Sequence, residues 1–521
     1  MGEPAWNVLF ITADQWRGDC LSALGHPIVK TPHLDALAAD GTLFRRHYGQ
    51  ATPCGPARAS LYTGLYLHNH RSVVNGTPLD DRHTNIAREV AKAGYEAALF
   101  GYTDVSADPR TLPANHPALR SYEGVLPGMT PVAQMASDLG LWREALAARG
   151  YEIDDEALGP YRPRVDSDPD SRGKTYWPAF YGPDESASAV LTDRAMAYIS
   201  ARGPEPWFVH LSYLAPHPPF IAPEPYNTMY DAAEVGMPIR RERVEAEAAQ
   251  HPWIAFYLHN QRETPYTYGA HASDNLTLDE REWRQLRATY YGMMSKIDDQ
   301  LGRLVAHLKA SGVYDRTLIV FTSDHGKHLG DHWMLAKYSY FDQTFYVPLI
   351  VRDPRTEADA ARGGAVAALS ESVDLMPTML DWLGIQVPMA CDGESLLSFC
   401  RDETVSGWRT EAHAGFDFRN FVDADGRLPL GLAADQCAAH LIFDARYKYV
   451  HFAALPPLFF DRQEDPHEFR NLAGDPAYHG LVMEWAQKLL SWRMTHDDRT
   501  LANMRLTPGG IVERRERRRP A

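Results

Sequence analysis

The strongest constraint on this chain is an alternation along its first two thirds. Short, almost wholly apolar runs recur there, at 7–12, 97–100, 207–213, 317–322 and 347–351, with stretches of helical pattern between them. Runs that are apolar at every position read as strands buried on both faces, the habit of parallel sheets. From 278 to 308, Trp283, Leu286, Tyr290, Met294, Ile297, Leu301, Leu304 and Leu308 fall three or four apart. That stripe belongs to one long amphipathic helix feeding the run at 317. Thr31-Pro32 opens an earlier helix with an N-cap and a first-turn proline, and Gly41 closes it. Strands alternating with helices predict an α/β fold, a large mixed, mostly parallel sheet sandwiched by helices. Ligands bind such sheets beyond the carboxyl ends of the strands.

Past residue 385 the pattern changes. Ser372-Val373-Asp374 begins a helix that stops at Gly384, and short polar and aromatic stretches follow. The expected division is a catalytic domain over 1–385 and a smaller C-terminal α+β domain over 386–521. With 521 residues the chain is long enough for both. Its formal net charge of -16 argues against general nucleic-acid binding. No apolar run approaches the length that crosses a bilayer. Met1-Gly2-Glu3-Pro4 lacks the basic segment of a secretory signal and leads directly into Asn7-Val8-Leu9-Phe10-Ile11. Cys20, Cys54, Cys391, Cys400 and Cys437 are odd in number and lack metal-type spacing. The expectation is a cytoplasmic, disulfide-free protein with neither nucleic-acid nor membrane partners.

The chemistry collects at strand ends. Asp14-Gln15 follows the first apolar run, and Asp324-His325 follows Leu318-Ile319-Val320-Phe321-Thr322-Ser323. Taken singly, a carboxylate after a strand is equally a cap or a turn residue. Taken together, two carboxylates, an amide oxygen and an imidazole make a mixed O/N site for a divalent cation. The histidine tilts the choice from calcium, which prefers an all-oxygen shell, toward manganese or zinc. Cys54, alone, reads equally as a small buried hydrophobe.

Pro53-Cys54-Gly55-Pro56-Ala57-Arg58 resembles the C-x-P-x-R maturation motif of the type I sulfatases and phosphonate monoester hydrolases of the alkaline phosphatase superfamily. The likeness extends through Thr63-Gly64-Leu65-Tyr66, Asn75, Gly101-Tyr102-Thr103, Pro216-His217-Pro218-Pro219, Gly330-Asp331-His332, Lys337 and Asp465-Pro466, over nearly the whole chain. Gln15 and His325 are closer to the phosphonate monoester hydrolase branch, since many sulfatases carry an aspartate and an amide at those places.

The resemblance implies that Cys54 is oxidised to formylglycine by a formylglycine-generating enzyme. The hydrated aldehyde then attacks phosphorus or sulfur with one hydroxyl and expels the anion with the other. Asp14, Gln15, Cys54, Asp324 and His325 would hold one divalent metal, Mn2+ first and Ca2+ or Zn2+ as alternatives. Arg58, one turn on if Cys54 opens a helix, would stabilise the diol's anion. His217 and Lys337 would neutralise the transferring group and protonate the leaving oxygen. Asn75, Tyr102 and Thr103 would contact the substrate. His68, His70, His328 and His332 remain supporting or structural groups.

The implied activity is hydrolysis of small monoanionic esters, phosphonate monoesters and phosphodiesters foremost, with promiscuous action on sulfate monoesters. An arylsulfatase is the alternative, and a non-catalytic anion-binding relative the remote one. One departure stands out: where the phosphonate hydrolases tend to continue in threonines, this chain has Asp104-Val105. The C-terminal domain would be a short antiparallel sheet with a helix near 480–496. Homodimers or homotetramers are expected; the basic run Arg514–Arg519 reads most simply as a solvated, disordered tail, with an arm across a neighbouring subunit as the alternative and the insert 240–275 as a second candidate for that work.

Overall fold

The computed structural model describes residues 6–513, apart from 137, 155, 157, 166–172, 261–265, 271–276 and 423–425. The readings of Met1–Pro4 as lacking a signal and of Arg514–Arg519 as an arm lie outside the described residues.

Eight described strands form the central sheet: β1 (Asn7–Ala13), β2 (Thr42–Phe44), β4 (Ala97–Gly101), β5 (Met129–Gln134), β6 (Phe208–Tyr213), β7 (Thr317–Thr322), β8 (Leu349–Arg352) and β9 (Gly364–Val366). Their order is β9-β2-β8-β7-β1-β6-β4-β5. β7, β1, β6, β4 and β5 pair in parallel, whereas β8 runs against both β7 and β2. The run at 347–351 is therefore a strand, but not one of the parallel set. Burial on both faces sets its composition, and an antiparallel strand inside a covered sheet has the same burial.

Alternation along β1 shows how both faces are used. Val8 and Phe10 enter one apolar cluster while Leu9 and Ile11 enter the other. On the first face lie helix α2 (Cys54–Thr63) and α4 (Leu375–Trp382), which add Leu61, Tyr62, Leu375 and Met379. On the second lies α3 (Glu280–Ala310), with the whole stripe from Trp283 to Leu308 buried. Asp279 caps α3 in a reciprocal pair with Glu282.

Helix α1 (Pro32–Ala39) is present, but Thr31 does not cap it. The Thr31 hydroxyl is engaged with Ser22, and the first-turn N–H groups of His33 and Leu34 donate to Asp298 of α3 at 3.0 and 2.7 Å. A carboxylate from across the fold satisfies the orphan donors better than the local hydroxyl.

The smaller sheet runs β13-β12-β11-β10-β3, from β10 (Ala412–Asp417), β11 (Ala438–Phe443), β12 (Tyr447–Phe452) and β13 (Leu458–Asp461), all antiparallel. Its last member, β3 (Ala51–Thr52), pairs in parallel with β10 and comes from the segment just before Cys54. Helix α5 (His479–Thr495) covers this sheet through Trp485 and Leu489. The described part of the insert is internal packing rather than an arm. Its helices Val244–Ala248 and Pro252–His259 bury Trp253 against Phe416 and Phe418, and Glu247 pairs with His332 at 2.7 Å. No described helix is long and apolar enough to cross a membrane.

Candidate active site

Four neighbouring strands, β7, β1, β6 and β4, present their carboxyl ends side by side, and the chain leaves each through a residue of the site. Asp14-Gln15 follow β1, Asp324-His325 follow β7, Tyr102 follows β4, and His217 lies four residues beyond β6. Gly101 ends β4 at φ +107°, where a Cβ would lie 2.0 Å from the Ser212 carbonyl oxygen, so only glycine lets β4 and β6 close here.

Cys54 is the first residue of α2. The small-sheet strand β3 delivers it, and the Asn75 side-chain oxygen accepts from the Gly55 N–H at 2.8 Å. Pro56 occupies the first turn, where its missing N–H costs nothing. Arg58 falls one turn later and is fully buried.

The Asp14, Cys54, Asp324 and His325 donor atoms all lie within 4.8 Å of one another. Cys54 Sγ is 3.2 Å from His325 Nε2 and 3.9 Å from Asp14 Oδ1. His325 Nδ1 donates to the Gly326 carbonyl at 2.9 Å, which leaves Nε2 with its lone pair toward the cluster, as ligation requires. Burial, with Lys337 helping, lowers the His325 pKa to about 4, so the imidazole is neutral. Gln15 has a left-handed backbone, φ 66°, held by the Tyr290 hydroxyl on its carbonyl at 2.6 Å. Its side-chain oxygen is buried without a hydrogen-bond partner. An orphaned amide oxygen beside two carboxylates and a neutral imidazole is a donor set that fits a divalent cation.

Counter-charge comes from below. Arg58 donates to Asp324 at 3.1 Å, Asp14 at 3.3 Å, Ser212 Oγ at 2.8 Å and the Tyr102 carbonyl at 3.2 Å. The guanidinium thus braces the carboxylates rather than Cys54, and it is Lys337 Nζ that reaches Cys54 Sγ, at 3.1 Å. The Tyr102 ring packs on the guanidinium at 4.1 Å and its hydroxyl donates to Asp14. Burial and the Asp324 charge push the Asp14 carboxyl up. For Asp324 burial acts the same way, but the Arg58 and Lys337 charges and the Gln15 N–H outweigh it and hold the carboxyl low. Burial, then Asp14, pushes the Cys54 thiol far above its ordinary range, so as a thiol it is a poor nucleophile. Two carboxylates balance Arg58 and Lys337, and a divalent ion would leave this site net positive.

A cavity of about 390 Å3 opens onto Cys54, bounded by Asn75, Tyr102, His217 and Lys337. His217 donates from Nδ1 to the Pro218 carbonyl at 2.5 Å. Burial, then Lys337 and Lys327, drives its pKa well down, so the imidazole is unprotonated.

The structure brings together Asp14, Gln15, Cys54, Arg58, Asn75, Tyr102, His217, Asp324, His325 and Lys337. It does not bring Thr103, whose hydroxyl donates to Gly124 O at 2.8 Å and accepts from Leu126 N at 2.9 Å. Asp104 lines the cavity instead. Sequence reasoning missed Ser212, which anchors Arg58, and Lys327, whose place two residues after His325 was the available signal. His70 bonds Ser60, His328 bonds Ser339, and His68 reaches the His496 carbonyl, all outside the cavity lining.

A parallel sheet with metal donors at adjacent strand ends, and a cysteine at the head of a helix facing them, defines an ester-bond hydrolase of the alkaline phosphatase superfamily. The chain belongs to the sulfatase family, whose profile matches residues 6–385, and a profile for the N-sulphoglucosamine sulphohydrolase C-terminal region matches 330–495. It is 45% identical over 513 residues to the multifunctional alkaline phosphatase superfamily protein PehA of Trinickia caryophylli, spanning 98% of this chain and 99% of that one. The crystal structure of the phosphonate monoester hydrolase of Agrobacterium radiobacter superposes with TM-score 0.92 at 42% identity, covering 98% and 100% of the two chains. An arylsulfatase of Clostridium perfringens is 25% identical, covering 93% of each chain. The family implies a divalent metal and formylglycine.

Proposed function

We propose that this protein hydrolyses phosphonate monoesters and phosphodiesters, with promiscuous action on sulfate monoesters. The single observation that carries the reading is Cys54 at the head of α2, within reach of His325, Asp14 and Lys337 at once. As a thiol that residue ionises poorly, whereas as formylglycine hydrate it supplies a hydroxyl to attack and a second to release the product. A divalent ion held by Asp14, Gln15, Asp324, His325 and residue 54 would supply charge to the attacking hydroxyl and to the ester oxygen. The imidazole among the ligands favours Mn2+ over Ca2+, with Zn2+ next.

The chain's own residues do the rest. Arg58 fixes both carboxylates in place, and Tyr102 orients Asp14 through its hydroxyl. Lys337 neutralises the incoming anion beside residue 54. His217, kept unprotonated by burial and by Lys337 and Lys327, gains proton affinity once the anion arrives and then serves the leaving oxygen. Asn75 holds the first turn of α2 and borders the anion. A phosphonate monoester, a phosphodiester and a sulfate monoester each bring one negative charge, so one site can accept all three. Phosphate monoesters, mostly dianionic, are poorer substrates.

Five unpaired cysteines suit a reducing cytoplasm. Met483, Leu490 and Met494 are 60–68% exposed on one face of α5, and the hairpin 504–513 exposes Leu506 and Ile511, a surface suited to a homodimer or homotetramer. A formylglycine-generating enzyme would be the maturation partner. Peptide mass spectrometry should find residue 54 lighter than cysteine by about the mass of one water. With matured, Mn2+-loaded protein, kcat/KM should be highest for a phenylphosphonate ester or a bis-aryl phosphodiester. An aryl sulfate ahead by orders of magnitude would make it an arylsulfatase instead.

A further inference from the structure

One wall of the cavity is the wrong sign for an anion site. Asp104 lies 95% buried by its 5% exposure, at φ 52°, and its Oδ1 has no hydrogen-bond partner. It borders the same cavity as Cys54, and its carbonyl lies 3.2 Å from where a Gly55 side chain would begin, so it sits against the first turn of α2. Next to it the loop 121–124 is tied to 103–106, by Thr103 on Gly124 and by Ser106 on Tyr122. That loop contributes Tyr122 and Glu123 to the lining. The cations Lys327 and Lys337 belong to another segment, with Tyr338 beside them. A second carboxylate nearby and a half-exposed aromatic ring make a combination that attracts a positive charge.

Resting on the reading of the site above, we propose that Asp104, with Glu123 and the Tyr122 ring, binds a cationic substituent on the retained side of phosphorus. The substrate class is then a phosphodiester, or a phosphonate monoester, whose retained arm carries an ammonium group a few bonds from phosphorus. The leaving arm departs past Lys327, Lys337 and His217, where a developing negative charge is welcome and a cation is not. The retained arm meets the acidic wall. Burial raises the Asp104 carboxyl far above its ordinary range; the Arg58 charge opposes this and the Glu123 charge adds to it, so a cation close by would favour the ionised form. A cationic arm supplies that counter-ion. A sulfate monoester has no retained organic arm and leaves this wall unused, so the acidic pocket also separates phosphorus from sulfur substrates.

Matured, Mn2+-loaded protein would be given two 4-nitrophenyl phosphodiesters, one with a 2-(trimethylammonio)ethyl arm and one with the uncharged isostere, 3,3-dimethylbutyl. Both release nitrophenol, so only the retained arm differs. The expected result is kcat/KM about tenfold or more in favour of the cationic arm, the scale of a buried carboxylate and a ring acting together. In Asp104→Asn that ratio should fall toward one. Asp104→Gly, which also removes the carboxylate and suits the positive φ, carries the same expectation should the amide variant not fold. A wild-type ratio of one or less overturns the proposal, as does a preference that survives in the folded variants, since the acidic field of the whole chain would then be its source. If neither diester is hydrolysed, the assigned function fails. If both are hydrolysed without preference, only the cation pocket does.

Discussion

Replacing Arg58 by methionine tests the electrostatic frame of the site without touching a metal donor. The methionine keeps most of the buried stem and deletes the guanidinium that serves Asp14 and Asp324 together. Removing one partner of a buried ion pair costs about 3–5 kcal/mol, and two carboxylates lose their partner here, so the upper end applies. Unfolding entropy of about 2.1 cal/mol/K per residue gives roughly 1.1 kcal/mol/K for 521 residues. The variant's Tm in EDTA should therefore fall by about 4–5 °C. Two further readings separate this account from a simple packing defect. Excess Mn2+ should return half or more of the loss, because a divalent ion becomes the counter-charge, and metal at a hundred times Kd contributes about 2.7 kcal/mol. The carboxylates, freed of Arg58, rise in pKa in the folded state. The variant therefore binds more protons folded than unfolded, and its deficit should be smaller at pH 5 than at pH 8. Differential scanning fluorimetry with and without metal reads all three. A variant within about 1 °C of wild type in EDTA, or one whose deficit ignores Mn2+, refutes the arrangement described, on the scale set by the entropy above.

Lys296, on the buried side of α3, has its pKa brought down by burial from 10.5 to about 7. A depressed lysine makes the folded state bind fewer protons, so stability rises with pH between those values. Lys296→Met should then raise the unfolding free energy at pH 7 by roughly 1 kcal/mol or more, an advantage that fades toward pH 10. An equal gain at both pH values would contradict it. At the exposed face of α5, Leu490→Glu with Met494→Glu should lower the mass seen by light scattering to that of one chain. An unchanged assembly would place the contact elsewhere.

The strands and the long helix were legible because burial writes itself locally. A run such as Leu318-Ile319-Val320-Phe321 has few other readings, and the stripe of α3 repeats for eight turns or so. Strand direction was not legible, since β8 is as apolar as its parallel neighbours. The donors at Asp14, Asp324 and His325 could be chosen because strand ends are where parallel sheets bind ligands, while Cys54 needed the family motif. Thr103 and Asp104 show the limit. Adjacent residues after one strand differ only in which way the backbone turns them, and a positive φ at 104 decided it.

Taken alone, the sequence determined the alternation of elements, the burial of each face and the short list of chemically able residues, because these follow from spacing a few residues apart. Tertiary structure decided what sits opposite what: Asp298 capping α1, Ser212 anchoring Arg58, β3 from the early chain pairing into the small sheet just ahead of Cys54. Those are long-range pairings of groups with ordinary local surroundings. Their free energy comes from desolvation and charge shared across the fold, which no window of neighbouring residues contains.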